Sequence, residues 1–342
     1  METKISRKKF IADGLCVSAG CLLLPGFIQK KEMVMTVNGP IESQNMGFTL
    51  THEHIMADFI GAEKYSKSRY NADEVFEVAL PFVKDVKAKG VDTFIDCTPA
   101  YLGRDANTLK RLSDAAGINI LTTTGYYGAV NEKFVPSHAY AESAQQLADR
   151  WVKEWNNGIE GTAVKPGLIK TSTDKGPLTP MQRKLVQAAG IAHLATGLTI
   201  AIHTGDGAAA FEQIEILKGQ GVSPAARIWA HTQSEPDQEM HIRAAKLKTW
   251  LSFDGVNPNT LQANLNYLQT MKVNKLLDQV LVSQDSGWYN VGEPKGGNFK
   301  PYTCISTQFI PLLQQNGFTA DELDRIFKLN PSKAFAIKVR RY

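Results

Sequence analysis

Eight times between residues 48 and 282 the chain passes from a short apolar run to a longer amphipathic stretch. That alternation limits what it can fold into. The runs fall at 48–55, 93–98, 118–123, 167–171, 198–203, 227–231, 249–253 and 279–282. Several, such as the one through Ile200-Ala201-Ile202, have the continuous apolar character of parallel strands covered on both faces. Between them, 71–89 puts Val75, Val78, Ala79, Phe82, Val83 and Val86 on one helical stripe, with Gly90 placed to stop it. Segments 179–196, 235–247 and 319–328 read the same way. Strand alternating with helix implies right-handed βαβ units and a parallel sheet. Eight units favour closure, and no G-x-G-x-x-G follows the first strand, which argues against an open nucleotide-binding sheet. The expected fold is α/β, a (β/α)8 TIM barrel. Such a barrel needs about 250 residues, and no linker or composition shift divides residues 35–342, so one domain is expected there.

Charge separates the N-terminus from the rest. Of 38 Lys/Arg and 34 Asp/Glu, residues 1–31 hold six and two, leaving 32 of each in the remainder. A near-neutral body gives no electrostatic footprint for nucleic acid. Residues 1–31 read as an export signal: a basic Arg7-Lys8-Lys9 segment, then an uncharged stretch at 14–27 too short to span a bilayer. Ser6-Arg7-Lys8-Lys9-Phe10-Ile11 resembles a twin-arginine signal with Lys8 at the second arginine. Ser18-Ala19-Gly20-Cys21 resembles a lipoprotein cleavage site that lacks its first leucine. The protein is therefore expected in the periplasm or at the envelope, with no membrane-spanning segment. Beyond the signal only Cys97 and Cys304 remain; their spacing suits neither a metal site nor a disulfide framework, and both read as packing residues.

Barrel enzymes carry their chemistry at the C-terminal ends of the strands. The first run ends in Thr51-His52-Glu53-His54, where residues two apart share a face. The fourth ends with Lys170, the fifth with His203 and the sixth with His231; Asp285 follows the eighth. Taken singly, each has an ordinary explanation: a core histidine, a helix-capping aspartate, a misread strand at Lys170. Four of the seven histidines at strand ends, with a lysine and an aspartate at the same rim, point jointly to a binuclear metal centre. The other three are expected elsewhere: His138 and His241 at the surface, His193 in packing.

The motifs Leu50-Thr51-His52-Glu53-His54, Gly103-Arg104-Asp105, Thr124-Gly125-Tyr126-Tyr127, Gly167-Leu168-Ile169-Lys170, Ala195-Thr196-Gly197 and Asn330-Pro331 stand in an order and spacing that resembles the phosphotriesterase-like group of the amidohydrolase superfamily, over residues 47–337. The resemblance implies two divalent ions, commonly zinc, bridged by a carboxylated lysine and a hydroxide. Carried over, one ion takes His52, His54 and Asp285, the other His203 and His231, and Lys170 is the bridging lysine. Such ligands also accept manganese, cobalt or iron. Asp285 would act as the general base. Two departures stand out. The outward proton relay of organophosphate-cleaving members is missing, with Gly255 and Ser234 at its positions although Asp254 is retained; Gly255 also replaces an arginine of many lactonases. Tyr127 matches a lactonase tyrosine near the metals. In the loop 286–301, Trp288 and Tyr289 either line the substrate or cap the barrel mouth. The expected activity is hydrolysis of an ester-like bond in a small molecule, a lactone or carboxylic ester. Phosphoester or phosphotriester hydrolysis, amide hydrolysis and a binding protein without turnover are the alternatives. The resemblance also allows a homodimer.

Overall fold

The computed structural model describes residues 31–342, so the segment expected to be an export signal lies, but for Lys31, outside the described residues, Cys21 included. Each apolar run becomes a buried strand, and the amphipathic stretches become the helices that cover them. In chain order these are β1 (Met33–Thr36), β2 (Gly39–Glu42), β3 (Thr49–Ala57), α1 (Ala72–Ala88), β4 (Thr93–Asp96), α2 (Ala106–Ala116), β5 (Asn119–Leu121), β6 (Thr123–Thr124), α3 (Ala144–Asn157), β7 (Leu168–Thr173) and α4 (Pro180–Thr196). There follow β8 (Ile200–Thr204), α5 (Gly207–Gly219), β9 (Arg227–Ala230), α6 (Gln238–Lys246), β10 (Trp250–Phe253), α7 (Leu261–Val273), β11 (Val280–Val282) and β12 (Gly287–Asn290), before short C-terminal helices. All eight expected strands are present.

The strands pair in two parallel series, β11-β10-β9-β8-β7-β6 and β12-β3-β4-β5. β5 and β6 are the halves of the third run, interrupted at Thr122 where its carbonyl instead accepts from the Gly167 N–H at 2.7 Å. They join the series at one seam. At the other, the Asp285 N–H donates to the His52 carbonyl and the His54 N–H to that of Ser286, each at 3.0 Å. With both seams bridged the strands form a TIM barrel, as the (β/α)8 reading required.

Helix ends follow their local chemistry. The Asn71 side chain accepts the N–H groups of Asp73 and Glu74 to start α1, and Thr179 with Gln182 forms a capping box at α4. Val75, Ala79, Val83 and Val86, all from the expected stripe, are the buried face of α1.

The barrel interior is filled by Ile95, Cys97, Leu121, Leu168, Ala201, Ile228 and Leu281. Its N-terminal end is plugged by Val34, Met46 and Phe335. Val34 comes from the antiparallel β1–β2 hairpin, which the sequence reading did not anticipate. Cys97 packs in this core, where burial raises its thiol to about 12; it and Cys304 are free thiols. No helix among the described residues is long and apolar enough to cross a membrane.

Candidate metal centre

All six expected ligands converge at the C-terminal rim. His52, His54, Lys170, His203, His231 and Asp285 line the floor of one cavity of about 390 Å³. The imidazoles cluster: ring centroids are 5.4 Å apart for His52–His54 and 4.9 Å for His52–His231, both pairs tilted, and 4.4 Å for the edge-to-face pair His203–His231. Two of these residues end up there because their backbones leave the ordinary regions. His231 has φ 60° and Asp285 φ 52°, conformations that cost side-chain-bearing residues energy and persist where surroundings enforce them.

The partners of these imidazoles fix where their lone pairs point. The ionised Asp254 carboxylate accepts from Nδ1 of both His52 and His231, each at 2.7 Å. It also accepts the His231 N–H at 3.1 Å and the Gln233 amide at 3.0 Å. Burial opposes the charge on Asp254, but the two imidazoles hold its carboxyl well below the usual range. A carboxylate that only accepts must be met by Nδ1–H, so both rings present a bare Nε2 to the cavity. His54 is set by other means. The Thr98 hydroxyl donates its one proton to the Met56 carbonyl at 3.2 Å and therefore accepts from His54 Nδ1 at 2.7 Å. His54 Nε2 is left bare, 3.1 Å from Asp285 Oδ1.

That contact tests the fit of a metal. Asp285 Oδ1 is buried with no hydrogen-bond donor. A carboxylate oxygen facing an imidazole lone pair is repulsive unless a cation lies between them. The donor set is right for a divalent ion, and a second grouping arises around His52 and His231 with Asp254. In that grouping, however, Asp254 already accepts a hydrogen bond from each ring, so it orients the two imidazoles. Burial, with Lys170 adding to it, lowers His52 to about 4 and His203 falls well below its ordinary value for the same first reason; neutral imidazole is the form that binds metal. Burial also works against charge on His231, but Asp254 raises its basicity.

Lys170 is 1% exposed, and its nitrogen contacts His52 Nε2 at 3.1 Å with no carboxylate in ion-pairing reach among the described residues. Tyr127 reaches this cluster from the cavity wall, its hydroxyl 3.0 Å from His203 Nδ1. Trp288 also lines the cavity, its ring 4.1 Å from that of His54. Its neighbour Tyr289 does not: it is 4% exposed and its hydroxyl binds Glu74, so of the two aromatics only Trp288 can touch a substrate.

Three residues that matter were not nominated from sequence. In sequence Asp254 reads only as a remnant of the missing relay, and Thr98 and Gln233 carry no signal; each acts through a pairing visible only once strands are side by side. Gln233 explains Gly255: a β-carbon there would lie 2.8 Å from its amide nitrogen. The space of the absent relay is thus filled by an amide that does not titrate. One expectation fails. His241, expected at the surface, is 1% exposed and packs against Trp229, Phe253 and Tyr267, because the face of α6 that carries it turns toward the strands. His138 is half-buried against Tyr126, and His193 packs as expected, bonded to Leu198 and Arg340 backbone.

Comparison with known proteins agrees with this geometry. The sequence profile of the Phosphotriesterase family matches residues 32–335. A phosphotriesterase homology protein of Escherichia coli is 30% identical, over 84% of this chain and 98% of its own length. An aryldialkylphosphatase of Saccharolobus solfataricus is 29% identical, over 86% and 97% respectively. An N-acetyltaurine hydrolase of Bos taurus is 28% identical, over 89% and 98%.

Proposed function

This chain belongs to the phosphotriesterase family of hydrolases, and from that premise we propose that it opens the ester bond of a lactone or other small carboxylic ester at a centre of two divalent ions. The observation that carries the reading is the convergence of His52, His54, Lys170, His203, His231 and Asp285 on one cavity floor. His52, His54 and Asp285 would hold one ion, His203 and His231 the other, with Lys170 between them as a carbamate. When bound, the ions acidify a shared water and polarise the substrate carbonyl. Asp285, ionised and without a donor on Oδ1, takes the proton that the attacking water loses. Asp254 keeps Nε2 of His52 and His231 aimed inward throughout. The apolar walls, Phe59, Leu102, Val130, Phe134 and Trp288, exclude bulk water and receive the acyl chain or ring.

A carbamate at Lys170 is supported by its surroundings. An unpaired ammonium beside two dications is strongly disfavoured; the neutral amine nitrogen bonding to the carbon of carbon dioxide, with its displaced N–H proton lost to solvent, would give a carbamate anion that could serve as a metal ligand. Esters rank above phosphotriesters because Gly255 and Ser234 leave no titratable relay, and because the Tyr127 hydroxyl stands at His203. A carboxamide is the second reading, favoured by the similarity to an N-acetyltaurine hydrolase.

The test is a kcat/KM panel of lactones, aryl esters, carboxamides and paraoxon-like triesters on metal-loaded protein. The best lactone or ester should exceed every triester. A triester or amide at the top of the ranking would reject the ester assignment.

A further inference from the structure

Above the metal floor, the cavity wall is apolar and aromatic except at one point. Apart from the ligand candidates, Lys133 is the only charged side chain lining it among the described residues. Its ammonium has no carboxylate partner among the described residues and lies 5.6 Å from the centroid of the Phe134 ring, within cation–π range. Phe134 in turn meets Tyr127 and Phe59 edge-on, and Phe59 stacks on Trp288 at 5.5 Å. The head group is exposed, but the backbone beneath it is held. Its carbonyl accepts from the Ala62 N–H at 3.0 Å, and its stem crosses Gly61, where a β-carbon would come within 3.2 Å.

The approach to Lys133 is unusual. Val130, Asn131 and Glu132 have φ of 58°, 53° and 63°, three consecutive non-glycine residues in the left-handed region. Such a run costs energy at each residue and survives only where contacts impose it. They are present: the Asp174 carboxylate accepts the N–H of Val130 at 2.8 Å and of Asn131 at 3.2 Å, and the Glu132 carboxylate accepts the Thr179 hydroxyl at 2.5 Å. The strained turn delivers Val130, Lys133 and Phe134 together to the cavity.

We infer that Lys133 selects substrates carrying a second, non-reacting anionic group, a carboxylate or a sulfonate, remote from the scissile bond. The reacting carbonyl lies at the floor, the apolar body along Phe134, Phe59 and Trp288, and the anion at the mouth beside Lys133. This rests on the ester-hydrolase reading for what is cleaved, and on the cavity alone for what binds.

The test has two arms, both on metal-loaded protein. Calorimetric binding of hexanesulfonate and of neutral hexanol is compared for wild type, Lys133→Met and Lys133→Arg. Hexanesulfonate should bind wild type about two- to fivefold more tightly than Lys133→Met, the size of one rim ion pair, while Lys133→Arg retains the preference and hexanol is unaffected. In the kinetic arm, Lys133→Met should raise KM for mono-4-nitrophenyl adipate and leave 4-nitrophenyl hexanoate unchanged. Equal hexanesulfonate affinities in wild type and Lys133→Met would overturn the inference, as would a parallel loss for hexanol. If neither ester is turned over while the sulfonate preference depends on Lys133, the ester reading fails and the anion site stands.

Discussion

Asp254 is the residue on which the geometry of the centre depends most, although it would touch neither ion in the arrangement proposed. One carboxylate fixes the tautomer of two imidazoles, at 2.7 Å each, and the Gln233 amide holds the carboxylate in turn. Asp254→Asn keeps the shape but offers one oxygen and an N–H, so one of the two rings must invert its tautomer and turn a proton toward the metal. Metal affinity should fall about 10- to 100-fold, as for other groups that orient ligands, with Tm of the metal-free protein nearly unchanged. Equilibrium dialysis against a zinc buffer measures it, and wild-type affinity in the variant would remove Asp254 from this role. At this scale the convergence of the rim residues is legible in the sequence, because a period of two, applied to Thr51-His52-Glu53-His54, puts both imidazoles on one face. Asp254 was not, since its role depends on β3, β9 and β10 meeting around it. His241 was misread because helical spacing alone does not say which face of a short helix turns inward.

Among the elements, the strand ends do the positioning, and close backbone approach makes that possible. Gly125 follows β6 with φ 114°, and a β-carbon there would lie 2.0 Å from the Lys170 carbonyl oxygen. Gly125→Ala should therefore cost about 2 kcal/mol or more and displace β7 at Lys170, weakening metal binding as well. Gly90 provides the contrast. Its φ is 89°, but no atom lies within 4 Å of a β-carbon placed there. Gly90→Ala should lose about 1 kcal/mol through backbone strain with metal binding intact. Thermal melts with and without metal separate the two, and equal metal affinity in both variants would contradict the account of Gly125. The strands themselves were readable from apolar runs and the helices from their stripes. The β1–β2 hairpin was not, because Met33-Val34-Met35-Thr36 is too short to register as a periodic segment. Nor was the 130–132 turn, whose left-handed residues answer to Asp174, more than 40 positions away.

Over the whole molecule the barrel divides its labour between its two ends. The N-terminal end is closed by Val34, Met46 and Phe335 and serves stability; the C-terminal end gathers the polar residues and serves chemistry. Closure was inferable from eight repeats, while the way the seams are bridged, through a split third strand and the Asp285–His52 backbone bond, required the structure. The central claim is that this rim is a two-ion centre whose occupancy determines activity. Titration of metal-depleted protein with zinc in bicarbonate buffer tests it most directly, with bound metal measured by elemental analysis and turnover followed on the best ester of the panel. Bound metal and activity should rise together and saturate at about two equivalents per chain, and His203→Ala should saturate lower and remain inactive. Full turnover by protein free of metal, or saturation of activity at one equivalent with His203→Ala unimpaired, would contradict the account.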